Sequence, residues 1–367
     1  MKSAELTEKQ NIFERRMIDI LNAGSLNLAL AIGYRLSIFD AMAEFDRPVT
    51  ARIIAERAGV NIRYLTEWLA IMTTGRIVEV SGQATGEMLY RLPPEHGAFL
   101  TKDAGSSNLG VYTQEIPLLT SCAMNAVAGG FITGQGVPFS QYPDFQAFMS
   151  ELSNAKHRQV LVSHFLPTVD NGLVVKSLER GIKVLDLGCG EGVALNLMAE
   201  AFPNSRFTGL DNFGTALEKA RTDAVDLGLD NVDYVAEDAA GSDLGQRFKG
   251  QFDYVTAFDS IHDQTRPLEA LKNVRTMLAP GGVFSMVDID ASTDPRENMD
   301  HPMAPFLYTV SLMHCMPVGL NSGGAGLGMM WGRQKALAML NEAGFDRVEV
   351  LTMDHDSFNL HFLARRK

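Results

Sequence analysis

Hydrophobic and polar positions change rhythm partway along the chain. From Ser25 to Met42 the apolar residues Leu26, Leu28, Leu30, Ile32, Leu36, Ile38 and Phe39 lie all round a helical repeat. That pattern predicts a helix buried against another subunit or domain. Thr50 is placed to cap a helix running to about Ala58, which Gly59 ends. Asn61 is placed to cap the next, in which Leu65, Trp68, Leu69 and Met72 make one apolar face before Gly75. Ile77–Val80 and Tyr90–Leu92 read as a β-hairpin, with Ser81-Gly82 and Thr85-Gly86 in its turn region. Helix, turn, helix and hairpin predict a winged helix over residues 1–100. Residues 101–178 read as a helical connector with a glycine-rich centre, Gly129-Gly130 and Gly134-Gln135-Gly136.

From Ile182 short apolar runs alternate with helical segments: Val184–Leu187, Phe207–Leu210, Val232–Val235, Tyr254–Phe258 and Val283–Val287. Such alternation predicts a parallel sheet with helices on both faces. A helix Gln334–Ala343, ended by Gly344, leads to two last strands, Arg347–Met353 and Asn359–Ala364, in hairpin-like succession.

The first of these runs feeds Asp186-Leu187-Gly188-Cys189-Gly190-Glu191-Gly192. A strand, a glycine-rich turn and a helix from about Val193 to Phe202 make a nucleotide-binding α/β start. The glycines let backbone approach a ligand where a Cβ would collide, and the helix offers its free N–H groups. The dinucleotide fingerprint G-x-G-x-x-G, counted from Gly188, would need glycine where Val193 stands. The pattern D-x-G-x-G-x-G instead resembles motif I of class I S-adenosylmethionine-dependent methyltransferases. Gly136-Val137-Pro138-Phe139, with Tyr142, Asp144-Phe145 and Phe148-Met149-Ser150, resembles the segment that precedes the catalytic domain of small-molecule O-methyltransferases of the plant and hydroxyindole type. Those enzymes begin with a winged-helix region used for dimerisation.

The resemblance implies an α/β fold: a Rossmann-like, seven-stranded methyltransferase sheet over 179–367, closed by an antiparallel hairpin, behind a winged-helix domain and connector. It implies S-adenosyl-L-methionine as cofactor, S-adenosyl-L-homocysteine as product, and a homodimer through the N-terminal region. Gly188 and Gly190 would face the methionine portion, with Asp186 holding its ammonium group. Asp211 closes the second strand, where a carboxylate can accept from both ribose hydroxyls, and Asn212 reaches the same sugar. Asp238 and Ala239 match the acid and backbone N–H that meet adenine. Phe258 and Asp259 close the fourth strand at the ligand crevice. Leu278-Ala279-Pro280-Gly281-Gly282-Val283 matches the turn into the fifth.

Ser260-Ile261-His262-Asp263-Gln264 follows the fourth strand. In the O-methyltransferases named above, a His-Asp pair here includes the general base, so His262 matches that base and Asp263 its neighbour. Gln264 departs from the tryptophan usual after the pair, and a structural or substrate-contacting His262 stands as the alternative. Asp288 and Asp290 end the fifth strand and could orient His262 or bind the acceptor. An insertion, 291–331, carries a helix of about Met303–Met316 with Leu307, Ser311 and His314 on one face. Its glycine run 323–328 reads as a lid. Met313, Cys315, Met316, Met329, Met330 and Trp331 read as an apolar acceptor pocket or as plain core. Asp288, His314 and Trp331 are the candidate acceptor contacts.

Composition narrows the choice. With 367 residues and 46% hydrophobic content the chain can bury two cores. A net charge of −12 offers little to a phosphate backbone, and Arg63 is the only basic residue between Asn61 and Met72. Both weigh against nucleic acid as a partner and leave a small-molecule acceptor. The three cysteines, Cys122, Cys189 and Cys315, show no metal-ligand spacing, so no metal is expected and a reduced, cytoplasmic setting is the simple reading. The N-terminus reads as charged, without a signal peptide, and the run Leu26–Ile32 as too short to span a bilayer. Two other readings remain beside O-methylation: a winged-helix regulator that senses S-adenosylmethionine, and methyl transfer to nitrogen, carbon or sulfur.

Overall fold

The computed structural model describes residues 2–84 and 86–366; Thr85, read above into the hairpin turn, lies outside the described residues. The chain divides into two compact units, residues 1–118 and 119–367.

In the first unit a helix spans Lys2–Arg35, starting far upstream of Ser25. It does not continue to Met42, because Ser37 adopts a left-handed conformation (φ 54°) and a second helix, Ile38–Ala43, begins there. Helices Ala51–Ala58 and Ile62–Thr74 follow. Asn61 caps the latter by accepting from the Arg63 N–H, whereas Thr50 occupies the cap position of the former without a side-chain bond. Leu65, Trp68, Leu69 and Met72 are all buried. Trp68 Nε1 donates to the Ala29 carbonyl at 2.8 Å, and a Cβ on Gly33 would meet the Trp68 ring at 2.5 Å. That glycine lets the long helix lie against the indole.

Strands β1 (Val49–Thr50), β2 (Glu79–Ala84) and β3 (Glu87–Arg91) form a sheet in the order β1-β3-β2. The first hairpin strand starts later than its apolar pattern predicts. The N–H groups of Ile77 and Val78 both turn back to the Met72 carbonyl and close the helix instead of joining the ladder. Arg63 is ion-paired with Glu67 one helical turn on, at 2.6 Å, so the single cation of that helix is already compensated.

Before residue 24 the long helix carries exposed large hydrophobics, among them Leu6, Phe13, Ile20 and Leu21. The segments Glu5–Arg35 and Val111–Thr133 are each long and apolar enough to cross a membrane by length and composition, which the short run Leu26–Ile32 did not suggest. A helix covered in an interface meets the same test.

The second unit is built on a seven-stranded sheet: β4 (Lys183–Leu187), β5 (Arg206–Asp211), β6 (Val232–Ala236), β7 (Phe252–Phe258), β8 (Leu278–Ile289), β9 (Val348–Met353) and β10 (Asp356–Arg365). The order is β6-β5-β4-β7-β8-β10-β9. β10 runs antiparallel to β8 and β9, and the other pairs are parallel. Strand periodicity splits the core into two layers. Val184 and Tyr254 pack with helices Val193–Ala201 and Gly214–Asp226. Leu185 and Val255 pack with helices Pro267–Met277 and Arg333–Glu342. Strand order reverses between β4 and β7, and a doubly wound sheet opens its ligand crevice at the carboxyl ends beside such a reversal.

Two glycine-rich segments converge near that end. A Cβ on Gly136 would sit 2.3 Å from the Asn321 nitrogen, and the Val137 N–H donates to the Pro317 carbonyl at 2.9 Å. Gly324 lies against the Gly319 carbonyl and Thr265, where a Cβ would come within 2.2 Å. These glycines permit backbone-to-backbone packing of the connector on the insertion and within the insertion.

Candidate active site

Three left-handed residues shape the turn after β4: Gly188 (φ 73°), Gly190 (φ 52°) and Gly192 (φ 72°). A Cβ on Gly188 would strike Ser260 at 2.5 Å, and one on Gly192 the Tyr234 hydroxyl at 2.4 Å; over Gly190 nothing lies within 4 Å. The turn is thus closed on two sides and open at its tip. Asp186, buried at the end of β4, accepts from the Thr256 hydroxyl at 2.6 Å across the β4–β7 reversal. Burial pushes its carboxyl up to about 7.

Asp211 at the end of β5 accepts from the Gly190 N–H at 2.9 Å and the Phe213 N–H at 2.8 Å, one bond to each oxygen. Each oxygen keeps a further lone pair for a hydroxyl donor. Burial raises this carboxyl against the lowering effect of those N–H groups. Asn212 stands exposed beside it. Asp238 accepts from the Ala240 N–H at 2.8 Å and pairs with Arg266 at 2.6 Å, while Ala239 is buried next to it. Phe258 is packed by the rings of His157 and Phe165, 5.0 and 5.5 Å away. Asp259 turns left-handed (φ 48°) and accepts from Asn359 at 3.1 Å. An open glycine tip, a buried acid below it and a two-lone-pair acid beside it fit the methionine, ammonium and ribose portions of S-adenosylmethionine.

At the far side of β7, His262 is buried and donates from Nδ1 to Asp288 Oδ1 at 2.8 Å. The same oxygen accepts the Ile289 N–H. Nε2 faces Asp263 Oδ1 at 3.5 Å. Burial works to lower the imidazole pKa, but the two carboxylates outweigh it and hold it well above the usual value. Cys315 joins this group from a π-helical turn, Ser311–Cys315, that interrupts the predicted insertion helix. Burial pushes its thiol up to about 12.

His314, its neighbour, is buried in an aromatic box. Its ring lies 4.8 Å from those of Tyr142 and Phe145 and 6.2 Å from Phe139. Tyr142 donates to the Met313 carbonyl at 2.8 Å, joining connector to insertion. Burial lowers the His314 pKa, so the ring is neutral, and its Nε2 has no hydrogen-bond partner. Trp331 stands apart, within the core between the sheet and helix Arg333–Glu342. Met329 and Met330 pack with Leu307 in a small core of their own.

The structure therefore groups Asp186, Gly188, Gly190 and Asp211 around the carboxyl ends of β4 and β5, and His262, Asp263 and Asp288 beyond the ends of β7 and β8. Thr256, Ser260, Arg266, Asn359 and Cys315 join them without having been singled out for those contacts. Thr256 and Ser260 flank the strand end already marked, so strand alternation was the available signal; Arg266 carried none.

Residues 178–344 match the family described as "Methyltransferase domain", and residues 24–102 match "Rv2258c-like winged HTH domain". The ubiquinone biosynthesis O-methyltransferase of Erwinia tasmaniensis is 35% identical over 102 residues, 28% of this chain and 40% of that protein. The chain thus spans about two fifths of the length of this relative. The solved mitomycin 7-O-methyltransferase superposes with a TM-score of 0.66 at 18% identity, covering 98% of this chain and all of that one. Human N-acetylserotonin methyltransferase, solved with S-adenosylmethionine, gives 0.63 at 15% identity, covering 96% and 97%. At these identities the likeness is one of fold. The matches show a methyltransferase domain over residues 178–344 and a winged helix-turn-helix domain over residues 24–102, and the seven-stranded sheet carries the fold of those solved methyltransferases.

Proposed function

We propose that the protein methylates a hydroxyl of a small, fairly apolar acceptor, with His262 as general base. The observation that carries this reading is the buried Asp288–His262 hydrogen bond. It fixes the imidazole so that Nε2 is the atom left to take a proton. Bound S-adenosylmethionine supplies an electrophilic methyl on a cationic sulfur, and the protein's work is to hold the acceptor in line and remove its proton. Gly190 leaves room for the methionine portion, Asp186 takes the ammonium, Asp211 and Asn212 the ribose, and Asp238 and Ala239 the adenine. Asp259 and Phe258 close the crevice beside the turn. His262 takes the hydroxyl proton on Nε2, where Asp263 and Asp288 hold the resulting imidazolium. Neutral His314, in its aromatic box, lines the acceptor end. Turnover of phenols and hydroxy-acids with S-adenosylhomocysteine release tests the reading; turnover of amines alone contradicts it.

Asp186 gives this reading a pH dependence. Below about 7 its buried carboxyl is protonated and has no charge to offer an ammonium group. The affinity for S-adenosylhomocysteine, titrated calorimetrically, is expected to weaken as pH falls from 8 to 6 and to lose that dependence in Asp186→Asn. An affinity flat across this range in the wild type removes Asp186 from the site.

The exposed apolar side chains of helix Lys2–Arg35 support a homodimer through the N-terminal region. Replacing Phe13 and Ile20 together by glutamate is expected to halve the mass measured by light scattering. A wild-type chain that is monomeric at micromolar concentration contradicts the dimer.

A further inference from the structure

The residues around His262 Nε2 form a donor set of a second kind. A ring nitrogen of His262, a carboxylate oxygen of Asp263 and Cys315 Sγ all lie within 4.8 Å of one another, and Nε2 is the nitrogen that faces Asp263. They come from two elements far apart in sequence, the turn after β7 and the π-helical turn of the insertion. Asp263 Oδ1 is buried, has no hydrogen-bond partner and faces Nε2 at 3.5 Å. Behind the ring, Asp288 holds Nδ1 at 2.8 Å. A carboxylate on one imidazole nitrogen and an outward lone pair on the other is the arrangement that orients a metal-bound histidine.

The chemistry of the set selects the ion. Nitrogen, carboxylate oxygen and thiolate sulfur together suit Zn²⁺ rather than Mg²⁺ or Ca²⁺, which take oxygen. Bonds of about 2.0–2.3 Å in a tetrahedral site set donors roughly 3.3–3.6 Å apart. The His262–Asp263 separation already has that value, and Cys315 Sγ lies within 4.8 Å of both, so that closing the third side requires the sulfur to draw in. Three protein donors leave one position open, as in zinc sites that bind a small molecule. His314, whose Nδ1 lies 3.6 Å from the Cys315 sulfur, is the nearest further nitrogen.

We propose that His262, Asp263 and Cys315 form a zinc site, and that zinc bound there occupies the Nε2 lone pair and silences the base. Binding releases the Cys315 thiol proton, and the Nε2 proton where the imidazole is protonated, to solvent, and forms a sulfur–zinc and a nitrogen–zinc bond with no change of oxidation state. The binding stands on the donor geometry alone; the inhibition rests on the reading of His262 as base.

The test uses the full chain stripped with chelator and titrated with Co²⁺ as a spectroscopic stand-in, then with Zn²⁺ against a chromophoric chelator. One ion per chain and a thiolate-to-cobalt absorption band are expected. Cys315→Ser and Cys315→Ala are expected to abolish the band, and Asp288→Asn to weaken zinc binding about 10–100-fold, the usual effect of losing such a supporting carboxylate. Retained S-adenosylhomocysteine binding shows that each variant is folded. No saturable binding, or binding unchanged in both Cys315 variants, overturns the site. Zinc is further expected to stop methyl transfer and chelator to restore it; a chain active only with zinc overturns the inhibitory role. The base reading fails separately, if metal-free His262→Ala turns over as fast as metal-free wild type.

Discussion

His262→Ala is expected to lower kcat by about 10²-fold or more, the usual size of a general-base contribution, while leaving the affinity for S-adenosylhomocysteine nearly unchanged. The separation follows from geometry: Asp186, Gly190 and Asp211 sit at the β4–β5 end of the crevice, and His262 is held by Asp288 at the end of β8. The same base sets a pH profile. As the proposed base, His262 would work only when deprotonated, and its pKa is held well above the usual histidine value by Asp288 and Asp263. In the wild type, kcat is therefore expected to rise with pH, with its midpoint above about 6.5. Asp288→Asn removes one of the two carboxylates and is expected to move that midpoint down. A variant that keeps full kcat, or a wild-type limb that does not shift in Asp288→Asn, assigns His262 to structure or acceptor contact.

Asp211→Ala is expected to act on the other end of the site. The carboxylate holds the N–H groups of Gly190 and Phe213, so its loss both frees the glycine turn and removes the acceptor proposed for the ribose. Hydrogen bonds to a charged group contribute about 1.5–3 kcal/mol each, which places the loss of S-adenosylhomocysteine affinity at roughly 10²-fold. Calorimetry checks it, with Asp211→Asn as the milder variant, since an amide keeps one acceptor oxygen. Unchanged binding in Asp211→Ala would move the cofactor away from β5.

How far the sequence reaches depends on whether a feature is local. The glycine turn after Asp186 is legible because left-handed backbone and close approach leave glycine as the residue that fits, and the structure gives all three glycines positive φ. The winged helix is legible because Asn61, Gly59 and the Leu65–Met72 stripe each act within a turn or two of chain. The sheet is legible because apolar runs alternate with helices, and the doubly wound order with its antiparallel closing strand follows. The break at Ser37 leaves no comparable mark, since a left-handed serine is set by what packs around it.

Contacts between distant segments are the part the sequence withholds. Cys315 lies beside His262 because a π-helical turn rotates the insertion helix, and cysteine spacing alone argued against any metal site. Arg266 reaches Asp238 across 28 residues. Gly136 meets Pro317 and Asn321 because two glycine-rich segments, each looking like a flexible stretch, fit against one another. Trp331 shares its apolar character with Met313 and Cys315 but belongs to the core under the sheet. Hydrophobicity marks a residue for burial without saying in which cavity or layer.

The most direct measurement is S-adenosylhomocysteine formation by the purified, metal-free chain over a panel of phenols, hydroxy-acids and amines, run in parallel with His262→Ala. The account predicts turnover on hydroxyl acceptors, with a loss of about 10²-fold or more in the variant. Turnover confined to amines, or hydroxyl turnover that His262→Ala leaves intact, would contradict it.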